Sequence, residues 1–168
     1  MLSIAPATTD LELDAVRALM RAFVAWHRER HRSDVALVEA YFDADAFEAE
    51  LAGLRQVYAQ PDGTVLLALV DGAPAGCGAL RRLDESTGEL KRMFVPENYR
   101  GRGVGLGLGQ ALLATAKTAG YRRLRLDTSI RQLEALKLYK GLGFRPIEPY
   151  YSVPPDLRAW LTFMELKL

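Results

Sequence analysis

Arg100-Gly101-Arg102-Gly103-Val104-Gly105-Leu106-Gly107-Leu108-Gly109 holds five of the chain's 14 glycines. A glycine inside a helix costs ~1 kcal/mol relative to alanine, so the cluster needs a reason. A strand-to-helix turn that leaves backbone N–H groups free at a helix N-terminus is an anion site, and Arg100 and Arg102 flank this one. Gly101 to Gly105 therefore read as a pyrophosphate-binding turn. Gly107 and Gly109 read as positions where the following helix packs closely on a sheet. No register between 101 and 112 satisfies G-x-G-x-x-G, and no G-x-x-x-x-G-K-[ST] occurs, which disfavours a Rossmann dinucleotide loop and a P-loop.

Outward from this turn the elements alternate. On its N-terminal side a strand from Glu89 to Val95 is stopped by Pro96. It comes after a turn at Asp84–Gly88, a strand over 73–83, the tight turn Asp71-Gly72 and a buried run from Val65 to Val70. Gln60-Pro61-Asp62-Gly63 marks the change of texture from an earlier helical region. That region comprises a short strand over 2–6, a helix over about 10–30 opened by the Thr9/Glu12 capping box, and helical residues 35–58 broken near Asp43-Ala44-Asp45.

On the C-terminal side a helix of about 104–119 ends at Gly120, and Leu124 to Thr128 reads as a strand. Ser129 with Gln132 forms a second capping box for a helix that stops at Gly141 and Gly143. Phe144–Val153 and Trp160–Leu168 read as the last two strands, joined through Pro154-Pro155. The order specifies an α/β or α+β domain with one sheet and helices on both faces.

With 168 residues the chain reads as a single domain spanning 1–168. Lys+Arg is 22 against Asp+Glu 21, so no sequence-wide basic field points to nucleic acid. Cys77 is the only cysteine, which excludes an intrachain disulfide and a Cys-rich zinc site. The start shows no basic, apolar leader, and the longest uncharged stretch, the 14 residues from Gly103 to Ala116, is too short to span a bilayer. The expectation is a cytoplasmic protein with no membrane partner.

The pattern Arg100-x-x-Gly103-x-Gly105, directly after a strand ending Met93-Phe94-Val95-Pro96, resembles the cofactor motif of the GCN5-related N-acetyltransferase (GNAT) superfamily. Leu138-Tyr139-Lys140-Gly141-Leu142-Gly143-Phe144 is similar to that family's Leu-Tyr-x-x-x-Gly-Phe helix end. The ending Pro149-Tyr150-Tyr151 … Phe163-Met164-Glu165-Leu166 is similar to a bacterial branch of it. The likeness covers 64–168, whereas 1–63 match only as two helices of the variable, substrate-facing region.

The resemblance implies the GNAT fold, a mixed and largely antiparallel sheet of six to seven strands. It also implies transfer of the acetyl group of acetyl-CoA to a primary amine of a small molecule or peptide, by direct attack in a ternary complex without a metal. Acetyl-CoA would lie where the 89–95 strand splays from the 124–128 strand. Backbone groups of Arg100, Gly101, Arg102, Gly103, Val104 and Gly105 would hold its pyrophosphate. Those of Met93, Phe94 and Val95 would meet the pantetheine arm and the thioester carbonyl.

Tyr139 matches the family's general acid for the departing thiolate. With reference values of ~10 and ~8.5, that transfer is uphill by about two kcal/mol. Glu89 stands at the offset of the general base in the histone acetyltransferases of the superfamily. It shares a strand face with Lys91, Met93 and Val95 unless a bulge intervenes, and its competing reading is an ion pair with Lys91 or Arg92. Asp127 and Glu134 are further acidic candidates, and Lys91 with Arg92 favours an acceptor carrying a carboxylate.

Where many relatives have Asn seven residues before the tyrosine, this chain has Gln132, and no cofactor contact is carried over to it. A non-catalytic acyl-CoA-binding module, another acyl group and a homodimer through the last strands remain open at this point. His27 and His31 read as a solvated helix end, because His27-Arg-Glu-Arg-His31 lacks the H-E-x-x-H glutamate position. Cys77 reads as a small apolar strand residue.

Overall fold

The computed structural model describes all of residues 1–168. In chain order the elements are β1 Leu2–Pro6, α1 Asp10–Arg30, α2 Val35–Tyr41, α3 Ala44–Ala52, α4 Leu54–Val57, β2 Thr64–Val70, β3 Ala73–Arg82 and β4 Thr87–Phe94. Then come α5 Val104–Thr118, β5 Arg123–Ser129, α6 Leu133–Gly141, β6 Arg145–Ile147, α7 Pro155–Trp160 and β7 Leu161–Lys167. The strands form one 7-stranded sheet in the order β1-β2-β3-β4-β5-β7-β6. Every neighbouring pair is antiparallel except β4 with β5.

Alternation in β2 divides the core. Val65 and Leu67 face α1 to α4 and α7, where Leu13, Met20, Phe23, Leu51 and Trp160 close a layer. Leu66, Ala68 and Val70 face the other way, against Val104, Leu108 and Leu112 of α5 and Tyr139 of α6. The capping box at α1 forms as expected, with Thr9 accepting from the Glu12 N–H and the Glu12 carboxylate accepting from the Thr9 N–H.

Four expectations change. The strand expected over 144–153 pairs only at Arg145–Ile147, and the Pro154-Pro155 joint starts α7. Proline supplies no ladder N–H, and its fixed φ suits the first helical turn. No capping box opens α6. The Ser129 hydroxyl accepts from the Arg131 N–H, and the Gln132 amide turns instead to His27. His27 is no solvated residue, being 1% exposed. Gly107 does sit against the sheet, a Cβ there lying 2.7 Å from Ile4 Cδ1, but Gly109 lies against Leu142 beyond the end of α6. No helix is long and apolar enough to cross a membrane.

Candidate active site

β4 and β5 are the one parallel pair, and they separate early. Their register runs Thr87↔Arg123, Gly88↔Leu124 and Glu89↔Arg125, then stops. From Lys91 onward the edge of β4 that faces β5 has no partner strand, so its backbone polar groups are free for a ligand. A bulge redirects the side chains at the end of β4. Ala79 pairs Lys91 but Cys77 pairs Phe94, so β4 carries an extra residue here, and Arg92 adopts φ 55. Glu89 and Lys91 share a face as expected. The bulge then turns Arg92 to that same side, onto Phe42 and Phe47, and sends Met93 and Val95 to the opposite layer. The expected common face of Glu89, Met93 and Val95 is thereby corrected.

Two cavities meet in the gap. The larger, of about 320 Å³, runs from the end of β4 to the glycine turn and α6. Gly101 and Gly103 there have φ 73 and φ 80, a left-handed backbone that glycine adopts without strain. Every backbone N–H from Gly101 to Leu106 lacks a partner within the chain. These groups converge at the N-terminus of α5, where the helix dipole adds a partial positive charge. Arg100 latches the turn to the strand: its Nε donates to the Val95 carbonyl at 3.0 Å, and its guanidinium lies 4.6 Å from the centre of the Trp26 ring. Arg102 packs over Tyr99 and is exposed. Glu134 also lines this cavity, and there it accepts from Arg30 at 2.8 Å. The residues that would hold a CoA diphosphate and pantetheine arm are thus suited to do so.

The smaller cavity, of about 30 Å³, lies between β4, β5, α1 and α2, and it has room for little more than water. Phe23, Met93, Gln132 and Tyr139 line both cavities and form their junction. Tyr139 is buried, its ring edge-on to Phe144, and its hydroxyl makes no hydrogen bond within the chain. Burial, and then the charge of Asp127, pushes the phenol well above its ordinary range, so it is protonated at neutral pH.

Asp127 lines the smaller cavity and accepts hydrogen bonds from the Tyr41 hydroxyl and, at 2.7 Å, from the Tyr151 hydroxyl. Glu89 is 2% exposed and lines neither cavity. Arg81 approaches its Oε1 to 2.7 Å and the Tyr150 hydroxyl donates to Oε2 at 2.9 Å, while Lys91 stands off at 3.9 Å. The partner of Glu89 is therefore Arg81 from β3, and Arg92 pairs with Glu50.

His27 reaches the site from α1. The Gln132 amide N–H donates to its Nε2 at 2.9 Å, and its Nδ1 is buried without a partner. Burial, reinforced by His31, lowers its pKa to about 4. Burial also pushes the Cys77 thiol up to about 12, which leaves it an unreactive part of the core. No cluster of His, Cys, Asp and Glu side chains could hold a metal ion. No motif announced Tyr41, and neither the Pro149-Tyr150-Tyr151 ending nor the His27/His31 pair announced a place in this site, because tertiary packing alone brings these residues to Asp127 and Gln132.

The comparisons agree with this geometry. Residues 20–144 match the model of the Acetyltransferase (GNAT) family. The human N-acetylaspartate synthetase is 35% identical over 122 residues, which are 70% of this chain and 40% of that protein. The chain thus spans about two fifths of the length of that relative. Over 100% of this chain and 98% of the other, an acyl-CoA N-acyltransferase structure from Klebsiella pneumoniae superposes with a TM-score of 0.73 at 29% identity. The PaiA N-acetyltransferase of Thermoplasma acidophilum, in complex with coenzyme A, has the same fold with a TM-score of 0.73, covering 100% and 99% of the two chains at 16% identity. With the family's sequence pattern, its sheet and its split parallel strand pair all present, the chain belongs to the GNAT family of acetyltransferases.

Proposed function

We propose that this protein transfers the acetyl group of acetyl-CoA to a primary amine of a small molecule or peptide, by direct attack within a ternary complex. The observation that carries the reading is the meeting of two cavities at Tyr139. One is headed by the unpartnered N–H groups of Gly101 to Leu106, and the other holds a carboxylate, Asp127. Family membership supports it, as does the coenzyme A bound by the Thermoplasma protein.

In this reading the N–H groups from Gly101 to Gly105 bind the diphosphate, and the open edge of β4 at Met93 to Val95 binds the pantetheine amides. One of those backbone N–H groups polarises the thioester carbonyl. The ammonium of the acceptor meets Asp127 and loses one proton past it to solvent. The neutral nitrogen attacks the carbonyl carbon, the new C–N bond forms and the C–S bond breaks. The nitrogen releases its second proton, and the leaving thiolate takes one from Tyr139, which solvent restores. The balance is an amide, free CoA thiol and one proton. Glu89, held by Arg81 and Tyr150 and lining neither cavity, leaves the proton-accepting role to Asp127.

The test is thermal unfolding with and without saturating acetyl-CoA, with NADH and ATP as controls, and then thiol release on adding amines. Ligand at about a hundred times Kd adds ~2.7 kcal/mol, roughly 5–10 °C for a chain of this size. No rise with acetyl-CoA would leave the glycine turn as packing and end the proposal.

A further inference from the structure

Asp127 is closed to an acceptor in this structure. The cavity it lines, of about 30 Å³, holds little more than water, so acceptor binding requires part of the surroundings to move. The cavity walls are poor candidates. Phe23 and His27 stand on α1, Tyr41 on α2, Lys91 on β4, Asp127 on β5 and Tyr139 on α6, and shifting any of them disturbs a hydrogen-bonded element.

The outer side of Asp127 is covered differently. Tyr151 donates to Oδ2 at 2.7 Å, while Tyr41 holds Oδ1. Tyr151 is 39% exposed and lines no part of the cavity, so it stands between Oδ2 and solvent. Its neighbour Tyr150 donates to Glu89 at 2.9 Å, and both belong to the connection between β6 and α7. From Glu148 to Val153 that connection makes no backbone–backbone hydrogen bond. Pro149 and Pro154 bracket it, and Glu148, Tyr151 and Ser152 are exposed. Side chains alone hold it down. They are the two phenols, their rings edge-on to Phe163 at centroid distances of 5.5 and 5.2 Å, and an exposed ion pair of Glu148 with Arg158. A segment with so few backbone bonds opens at lower free-energy cost than the elements around it.

Resting on the acetyl-transfer reading, we infer that residues 148–153 form a gate over the acceptor site, latched by Tyr151 on Asp127 and by Tyr150 on Glu89. The acceptor ammonium replaces the Tyr151 hydroxyl on Oδ2, and the strap lifts from Phe163 to make room for the rest of the molecule. Glu89, fixed by Arg81 at 2.7 Å, is the anchor of the second latch.

The experiment measures thiol release by the full chain with acetyl-CoA and a panel of α-amino acids, alkylamines, polyamines and short peptides. The most reactive amine is carried into the variants. A latch that is shut in roughly nine molecules of ten, the worth of one partly exposed hydrogen bond to a carboxylate, raises the apparent acceptor KM about tenfold. Tyr151→Phe, which keeps the ring on Phe163, should lower that KM by about this factor while KM for acetyl-CoA stays within about twofold. Tyr150→Phe should move it in the same direction. A hydroxyl that served to bind the acceptor would give the opposite sign, so an acceptor KM that rises or stays unchanged in Tyr151→Phe would overturn the inference. A second readout needs no turnover. In a chain carrying Tyr151→3-fluorotyrosine, coenzyme A with the saturating amine should move the fluorine resonance toward its position in the same chain with Asp127→Ala added. A resonance that stays in place would overturn the gate as well. Thiol release with no amine of the panel, or no rise in unfolding temperature with acetyl-CoA, would instead overturn the acetyl-transfer reading beneath it.

Discussion

Replacing Tyr139 by Phe separates chemistry from packing, because the tyrosine hydroxyl has no partner within the chain. The ring is 7% exposed and meets Phe144 at a centroid distance of 5.9 Å, contacts that phenylalanine keeps. Removing an unpaired hydroxyl from such a place costs little, and the ~1 kcal/mol of an ordinary hydrogen bond is not at stake. The unfolding temperature should therefore stay within about 3 °C of the parent, given 2–4 °C per kcal/mol for a domain of this size.

Loss of the acid should cost far more. Burial lifts the phenol above its ordinary ~10 while the thiol stays near ~8.5, so proton transfer is uphill by more than the ~2 kcal/mol of the unperturbed pair. The transition state still gains, because an unassisted thiolate must otherwise leave a dry cleft uncompensated. A positioned acid contributes ~10²–10⁴-fold, so kcat should fall at least about 100-fold, equivalent to ~2.7 kcal/mol. The assay is saturating thiol release between pH 6 and 9, with unfolding monitored in parallel. A kcat unchanged across that range would refute the acid role. A fall of more than about 6 °C in unfolding temperature would show that the hydroxyl matters to the fold instead.

Glu89→Gln should lower stability through loss of the Arg81 pair, by about 1–2 kcal/mol since that guanidinium is itself 39% exposed, while kcat changes less than about threefold. Asp127→Asn should instead lower acceptor kcat/KM by roughly 10- to 100-fold, and the reverse ranking would return the base role to Glu89. Gly103→Ala, at φ 80 with open space for its Cβ, imposes ~1–2 kcal/mol of backbone strain on the turn and should raise the acetyl-CoA Kd about tenfold. Gly107→Ala, which meets only the ends of the Ile4 and Leu2 side chains, should leave that Kd unaltered by calorimetric titration. His27 has a folded pKa of about 4, below its unfolded ~6.5, so the stability it confers is complete above pH 6.5 and is lost as pH falls toward 4. The loss approaches roughly 3 kcal/mol, and His27→Gln should flatten the decline in unfolding temperature between pH 6.5 and 4.

The glycine turn and the Leu138–Phe144 helix end were legible because their roles belong to the backbone. A free N–H or a left-handed φ leaves its mark directly as glycine, in order and at fixed spacing. The hydrophobic alternation of Val65 to Val70 announced its two faces for the same reason, since side chains alternate along any strand. Three features were not legible. The extra residue at Arg92 changes which side chains share a face, yet a bulge has no obligatory residue type when the left-handed position is an arginine held by Glu50 and two phenylalanine rings. The Ser129/Gln132 spacing fits a capping box, but Gln132 finds a buried imidazole, a partner 105 positions away in sequence.

The partners of the carboxylates were hidden as well. Glu89 could be placed on a strand, but only the β3–β4 ladder sets Arg81 opposite it, and only the loop after β6 brings Tyr150 and Tyr151 over Glu89 and Asp127. Local sequence thus determined the fold class, the glycine turn and the position of Tyr139, where residue type and backbone geometry lie within one stretch of chain. Tertiary structure alone decided which charges around the smaller cavity pair closely, as Arg92 does with Glu50, and which, like Lys91, come no nearer than 3.9 Å to a carboxylate oxygen of Glu89. Ion pairing depends on approach through space, and distance along the chain does not encode it.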